Sequence, residues 1–392
     1  MYIKTCCARG ENYKMKARVI AYYLPQFHPI PENDKFWGKG FTEWTNVAKA
    51  KPLFKGHYQP QIPADLGFYD LRLPEVREAQ AKLAAEAGIE GFCYWHYWFG
   101  NGKKVLDMPF NEVLKSGAPV FPFCLGWANH DWTTKTWEKG KSFSSETMIF
   151  KQLYPGDEDY INHFYDVLPA FKDSRYITVD DKPLFVIFQP DDIPDSKHFI
   201  ELWNKLAIEN GLKGIYFVCQ YEALPAMNHS NLKKIDTLIQ PRYDRLLKQG
   251  YDGINSFTLK YAEFKATGII HKAFHSFCRK YLKGIVLDKY KYADIMKNFV
   301  TPEDYQEHIY PQLIPRRDRS PRSGREAMIY YDSTPDLFKQ ATKNAFKCVE
   351  NRDFEHRLIF LNAWNEWGEG AYMEPDLVHG HGYIKALKSV LK

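Results

Sequence analysis

Eight short apolar runs, separated by longer amphipathic stretches, constrain this chain more than any other feature. They are Val19–Leu24, Gly91–Trp95, Val120–Leu125, Pro183–Phe188, Gly214–Cys219, Thr237–Gln240, Gln312–Ile314 and Leu358–Leu361. Their length suits strands rather than helices. Helical patterns fill several of the gaps: Pro74–Ala87 with proline at its start and Gly88 past its end, Asp159–Phe171, Ser196–Asn210 closed by Gly211, and Asp336–Asn351. A last helix, Gly382–Leu391, follows the final run. Strands that alternate with helices pair in parallel. Eight such units predict an α/β fold of the (β/α)8 TIM-barrel type. The competing architecture is a doubly wound sheet, but the first run lacks the Gly-rich phosphate turn that would support it.

The chain has 392 residues, 45% hydrophobic and 26% charged, the balance of a globular protein. Residues 1–17 read as a tail and 18–392 as one catalytic domain. A formal charge of only +5 gives no general polyanion binder, so nucleic acid is not an expected partner. One stretch breaks the rhythm. Residues 245–300 hold eleven Lys/Arg against four Asp/Glu, a net +7, which leaves the remainder slightly acidic. This stretch reads as a basic helical insertion between units six and seven, with an anionic membrane or an acidic glycan as its partner. No run of about 18 apolar residues exists to form a transmembrane helix. Met1–Arg18 is polar, with five basic residues, and lacks the apolar segment of a secretory signal. Seven cysteines without paired spacing read as reduced thiols. The expected location is cytoplasmic, peripheral to the inner membrane where the basic stretch meets lipid.

In a (β/α)8 barrel, functional groups follow the C-terminal ends of strands. Nine of the ten tryptophans fall there, which predicts an aromatic-lined cleft; only Trp203 sits in a helix. The candidate sugar-binding residues are Tyr22, Tyr23, His28, Glu43 and Trp44 after the first run, and Trp95, His96 and Trp98 at the second. Trp127, Asn129 and Asp131 follow the third, Gln220 the fifth, Arg242 and Tyr243 the sixth, and Trp364, Asn365 and Trp367 the eighth. Sugar hydroxyls both donate and accept, so amide, imidazole, phenol and carboxylate groups suit them. Past the eighth run stand two carboxylates, Glu366 and Glu369, three residues apart. On a strand they would face opposite ways; in a tight turn they become neighbours. Retaining glycosidases hold two carboxyls about 5–5.5 Å apart. These two are the candidate catalytic residues. His130-Asp131 and His379-Gly380-His381 match no strong zinc spacing, so neither metal nor cofactor is expected.

The segment Asn365-Glu366-Trp367-Gly368-Glu369-Gly370, followed by Glu374-Pro375, resembles the terminal motif of the WbsX-like polysaccharide-biosynthesis glycosyltransferases. That family is related to the endo-α-mannosidases of glycoside hydrolase family 99. Ala21–His28, Gly40-Phe41-Thr42-Glu43-Trp44 and Tyr94–Trp98 resemble it as well. The resemblance implies a barrel acting at an α-linked, mannose-like sugar in O-antigen or capsule synthesis, by glycosyl transfer or retaining hydrolysis. It implies that Glu366 removes the sugar 2-hydroxyl proton, so that this oxygen attacks the anomeric carbon. Glu369 would then protonate the leaving group and activate the acceptor. Two departures stand out. Gly368 replaces the histidine usual in the mannosidases, and Arg317 and Arg319 interrupt a segment in which Asp318, Pro321 and Arg322 fit the family pattern. A non-catalytic glycan-binding protein that retains the cleft is the alternative function.

Overall fold

The computed structural model describes residues 15–133, 147–222, 224, 235–282 and 285–392. Its main sheet is a (β/α)8 barrel. The strands are Arg18–Tyr23, Gly91–Trp98, Phe123–Trp127, Lys182–Ile187, Tyr216–Tyr221, Gly253–Ser256, the interrupted pair Ile309–Tyr310 and Gln312–Leu313, and Leu358–Leu361. Neighbours pair in parallel from the first strand round to the sixth. Pro311, which cannot donate to a ladder, splits the seventh strand. Its first half pairs with the sixth strand and its second half with the eighth, which pairs in turn with the first. The ring is thus closed.

Alternation along each strand sorts side chains between the barrel interior and the helical layer. Tyr22 points inward, stacked on Trp95 at 4.7 Å, and its hydroxyl donates to Asn255 Oδ1 at 2.8 Å. Phe360 closes on the same ring at 5.7 Å. Tyr23, one residue on, points outward and donates to Gln80 on helix Pro74–Ala87. The five cysteines among the described residues are free and buried, as small apolar groups within the packing; Cys6 and Cys7 lie outside the described residues.

The sixth unit differs from its sequence reading. Thr237–Gln240 is not a strand; the chain there enters a helix, Gln240–Lys248. The true sixth strand, Gly253–Ser256, lies inside the stretch read as an insertion, so the excursion begins after Ser256. Nor is the excursion purely helical. Helix Leu259–Tyr281, in two pieces kinked at Gly268, and helix Tyr292–Met296 accompany strand Asp288–Lys291. That strand pairs with Met328–Tyr331, which carries Arg317–Asp318 on its other edge. Two excursions, after strands six and seven, therefore build one small three-stranded sheet. Its own core includes Tyr290, Tyr292, Ile295, Ile314 and Tyr330.

The Tyr22–Asn255 bond ties the first strand to the sixth across the barrel interior. Tyr22→Phe should cost about 1–3 kcal/mol, because it strips a buried acceptor of its donor. Urea denaturation measures this; an unchanged midpoint would show that the bond contributes nothing.

Candidate active site

Leu361 ends the eighth strand, and the chain stays beside the first: the Trp364 amide donates to the Tyr22 carbonyl at 2.8 Å. Asn365 then brackets Leu24, accepting from its amide at 2.8 Å and donating to its carbonyl at 3.0 Å. Asn365-Glu366 pairs antiparallel with Ala371-Tyr372, and a 3-10 turn, Trp367–Glu369, forms the tip. This tight turn sets Glu366 and Glu369 on one rim, where both reach the same guanidinium. Arg322 Nη2 lies 2.9 Å from Glu366 and Nη1 2.7 Å from Glu369.

Arg322 also donates to a third carboxylate, Glu43, through Nε at 2.9 Å and Nη2 at 3.1 Å. Glu43 starts helix Glu43–Lys49 and is fully buried. Two more arginines close on Glu369: Arg317 at 3.0 Å and Arg319 at 3.1 Å. Asp318 holds this arginine loop. It accepts from the Ser320 amide at 2.9 Å and from Gln59 at 2.6 Å, and its Oδ2 lies 2.8 Å from His57 Nε2. His57 Nδ1 accepts from the Leu53 amide, so Nε2 carries the proton toward Asp318.

The two motif glycines are required by this packing. A Cβ on Gly368 would lie 1.5 Å from Glu43 Oε1, so the Glu43 carboxylate occupies the space of a side chain at 368. Gly370 has φ +58°, and a Cβ there would meet the Asp318 backbone at 2.8 Å.

The three carboxyls have unlike proton affinities. Burial pushes Glu43 up to about 7 despite its pairing with Arg322. Burial likewise raises Glu366, against the pull of Arg322. On Glu369, burial is outweighed by Arg319, Arg317 and Arg322, which hold it well below the usual carboxylate range. Beneath the hairpin, Glu374 accepts from Trp367 Nε1 at 2.6 Å, Tyr69 at 2.9 Å and Gln80 at 2.6 Å, and burial lifts it to about 7.

The aromatic cleft expected from the sequence is largely an aromatic core. Trp44, Trp98, Trp127, Trp132, Trp203, Trp364 and Trp367 are buried, while Trp37 and Trp95 are partly exposed; Trp137 lies outside the described residues. Strand alternation is the reason. His96 and Trp98 face outward, opposite Trp95, onto helix Asp157–Phe171: His96 Nε2 lies 2.9 Å from His163, and Trp98 stacks on His163 at 4.7 Å. Trp127 packs on the same histidine and donates to the Trp98 carbonyl. Trp364 lies against outward-facing Phe92, and Trp44 donates to the Tyr69 carbonyl. Trp367 stacks on Tyr372 at 3.7 Å.

Other candidates are also structural. Tyr23 belongs to the helical layer, and Tyr243 is buried on helix Gln240–Lys248, with Arg242 half-buried beside it. Asn129 clasps the Gln189 backbone, Asp131 accepts from the Gln152 amide, and Asn365 forms the bracket at Leu24. His28 is buried, and desolvation lowers its pKa. Tyr22, Trp95 and Gln220 line the barrel interior by strand alternation. The structure brings together Glu43, Glu366 and Glu369. It adds Arg317, Arg319 and Arg322, which were absent from the sequence-derived site; their signal was the arginine-dense run from Arg316 to Arg322.

Gly368→Ala should drive the Glu43 carboxylate from Arg322 and cost about 1–3 kcal/mol, the range for overpacking. In a Glu43→Ala background the same change should be nearly neutral, giving a strong coupling in a double-mutant cycle. Additive effects would show that Glu43 does not fill that space.

A curated relative, the uncharacterized protein WxcX of Xanthomonas campestris pv. campestris, is 33% identical over 380 residues. The match covers 96% of this chain and 50% of that protein, so the chain spans about half the length of the curated relatives it matches. Among solved structures, a glycoside hydrolase-like protein superposes with a TM-score of 0.58 at 13% identity, covering 100% of this chain and 98% of the other. The GH99 endo-alpha-mannosidase from Bacteroides thetaiotaomicron, in complex with BIS-TRIS-propane, gives 0.51 at 14% identity, covering 95% of each. Both likenesses are to the fold. The family model Glycosyltransferase WbsX matches residues 19–387, nearly the whole chain, and the protein belongs to that family.

Proposed function

We propose that the chain is a carbohydrate-active enzyme that transfers an α-linked, mannose-like sugar during synthesis of a cell-surface polysaccharide of the O-antigen or capsule kind. The observation that carries this reading is the pair Glu366 and Glu369 on one guanidinium, with their proton affinities driven apart. Two titratable groups separated in this way mark divided acid–base roles. Family membership supports sugar chemistry, and the endo-alpha-mannosidase of like fold supports the sugar class.

Glu366 is the proton-transferring group. It is partly exposed and is touched by one guanidinium, and burial raises its proton affinity, which makes it the better base. It takes the proton of the sugar 2-hydroxyl, and that oxygen closes on the anomeric carbon as the leaving group departs. The acceptor oxygen then reopens the strained ring, and Glu366 returns the proton to the 2-oxygen. Two inversions leave the configuration retained.

Glu369 is caged by three guanidiniums and stays ionised. An ionised carboxylate has no proton to give. The leaving group must therefore depart as a stable anion, as a phosphate-linked donor allows. Glu369 accepts a hydrogen bond from the acceptor hydroxyl and orients it, and as the new bond forms that hydroxyl's proton passes to the departed phosphate, a stronger base than the caged carboxylate. This arrangement favours transfer from an activated donor over retaining hydrolysis of an unactivated glycoside.

Glu366→Gln should lower kcat/KM at least about a hundredfold with any donor, the scale of lost general-base catalysis. Glu369→Gln should spare departure of a phosphate-linked donor and impair the acceptor step. The sign of the pH dependence follows from Glu366. It must be ionised to act, so kcat/KM should rise with pH, with a midpoint above the ordinary 4.5. Equal losses in both variants at both steps, or an acid limb below 4.5, would contradict the assignment.

A further inference from the structure

The kinked helix Leu259–Tyr281 and the turn after it carry an apolar stripe that faces solvent. Ile270 is 82% exposed, Phe274 52%, Phe277 54%, Tyr281 61% and Ile285 67%. Their spacings of four, three, four and four residues place the helical members on one face. The opposite side is accounted for: His275 and Cys278 are buried, with His271 5.8 Å from Tyr290 on strand Asp288–Lys291. Burying the stripe would remove large aromatic and aliphatic side chains from water, and contiguous exposed patches of this kind mark contact surfaces. From Leu259 to Ile285 the sequence holds six Lys/Arg against one Glu. That Glu263 is buried and accepts from Tyr330, and Lys265 pairs with Asp236 at 2.8 Å, so the segment's sequence charge stays strongly positive.

We infer that this helix is an interfacial anchor that docks the protein on an anionic lipid bilayer. An apolar stripe with aromatic residues in a strongly basic segment is the pattern of helices that lie in the headgroup plane. Cations bring the helix to anionic headgroups, and Phe274, Phe277 and Tyr281 enter the acyl boundary. An acidic polysaccharide would satisfy the cations and leave the apolar stripe in water, so the stripe decides between the two anionic partners. Among the described residues no helix is long and apolar enough to cross a membrane, so the contact is with the surface. The helix leaves the barrel at the C-terminal end of the sixth strand, the same end as Glu366 and Glu369. Docking there would bring the catalytic end of the barrel toward lipid. This inference stands on the helix alone and does not depend on the catalytic roles above.

The test is co-sedimentation of the full chain with phosphatidylglycerol-containing vesicles and with pure phosphatidylcholine vesicles, at low and high salt. The expected result is binding to the anionic vesicles only, weakened by salt. Phe274→Ser with Phe277→Ser should weaken it about tenfold or more. Reversal of Arg279, Lys280 and Lys283 to Glu should weaken it about a hundredfold or more, at roughly fivefold per cation. Thermal melts of each variant confirm that the fold is kept. Absence of binding at low salt would overturn the inference. So would binding that the Phe pair does not affect, especially if a soluble acidic polysaccharide competes equally. A dimer in sedimentation that the Phe variants dissolve, without vesicle binding, would assign the stripe to a second copy of the chain.

Discussion

One guanidinium organises this site. Arg322 touches Glu43, Glu366 and Glu369 at 2.7–2.9 Å, and so ties the helix that begins at Glu43 to the hairpin that carries the other two. Three carboxylates gathered in a mostly buried pocket would repel one another and lose hydration; without a cation, protonation would be the cheaper state. Arginine suits this task because its planar fork presents five donors in fixed directions. The remaining architecture serves to hold it. Asp318, clasped by Gln59 and beside His57, fixes the loop that carries it, and Gly368 leaves room for the carboxylate that receives its Nε.

The hairpin bearing the two candidate catalytic glutamates is secured from both sides. Arg322 holds their carboxyl groups, and the buried Glu374 gathers Trp367, Tyr69 and Gln80 below. The tryptophans of the motif are therefore structural: Trp367 stacks on Tyr372, and Trp364 fills the layer between strand and helix. Their rigidity serves function indirectly, since carboxyls must be fixed for their proton affinities to stay apart. Arg317 and Arg319 add the last element, for with Arg322 they turn one of two similar glutamates into a permanent anion.

The barrel was legible because parallel strands, buried on both faces, read as unbroken apolar runs. Seven of the eight runs correspond to strands. The sixth was not legible, because Gly253-Ile254-Asn255-Ser256 has one large apolar residue and uses Asn255 for a polar contact inside the barrel. Glu366 and Glu369 were legible from their place beyond the last run. Which tryptophans met solvent was not, because that depends on strand parity, and parity cannot be fixed from runs in which every residue is apolar. The arginines escaped because their partners are distant: Arg322 and Glu43 are 279 residues apart in sequence. The basic stretch was visible as charge, whereas the exposed apolar stripe within it emerged only once the buried face of the helix was known.

The most direct measurement is a carbon-13 NMR titration of the glutamate carboxyls, with Glu366→Gln and Glu369→Gln variants to assign the two signals. The account predicts that Glu369 remains ionised through the ordinary carboxylate range and that Glu366 titrates above 4.5. Arg319→Ala should move Glu369 upward, because it removes the largest of the charges that hold it down. Superimposable titrations for the two glutamates, or a Glu369 that takes up its proton before Glu366 as pH falls, would contradict it.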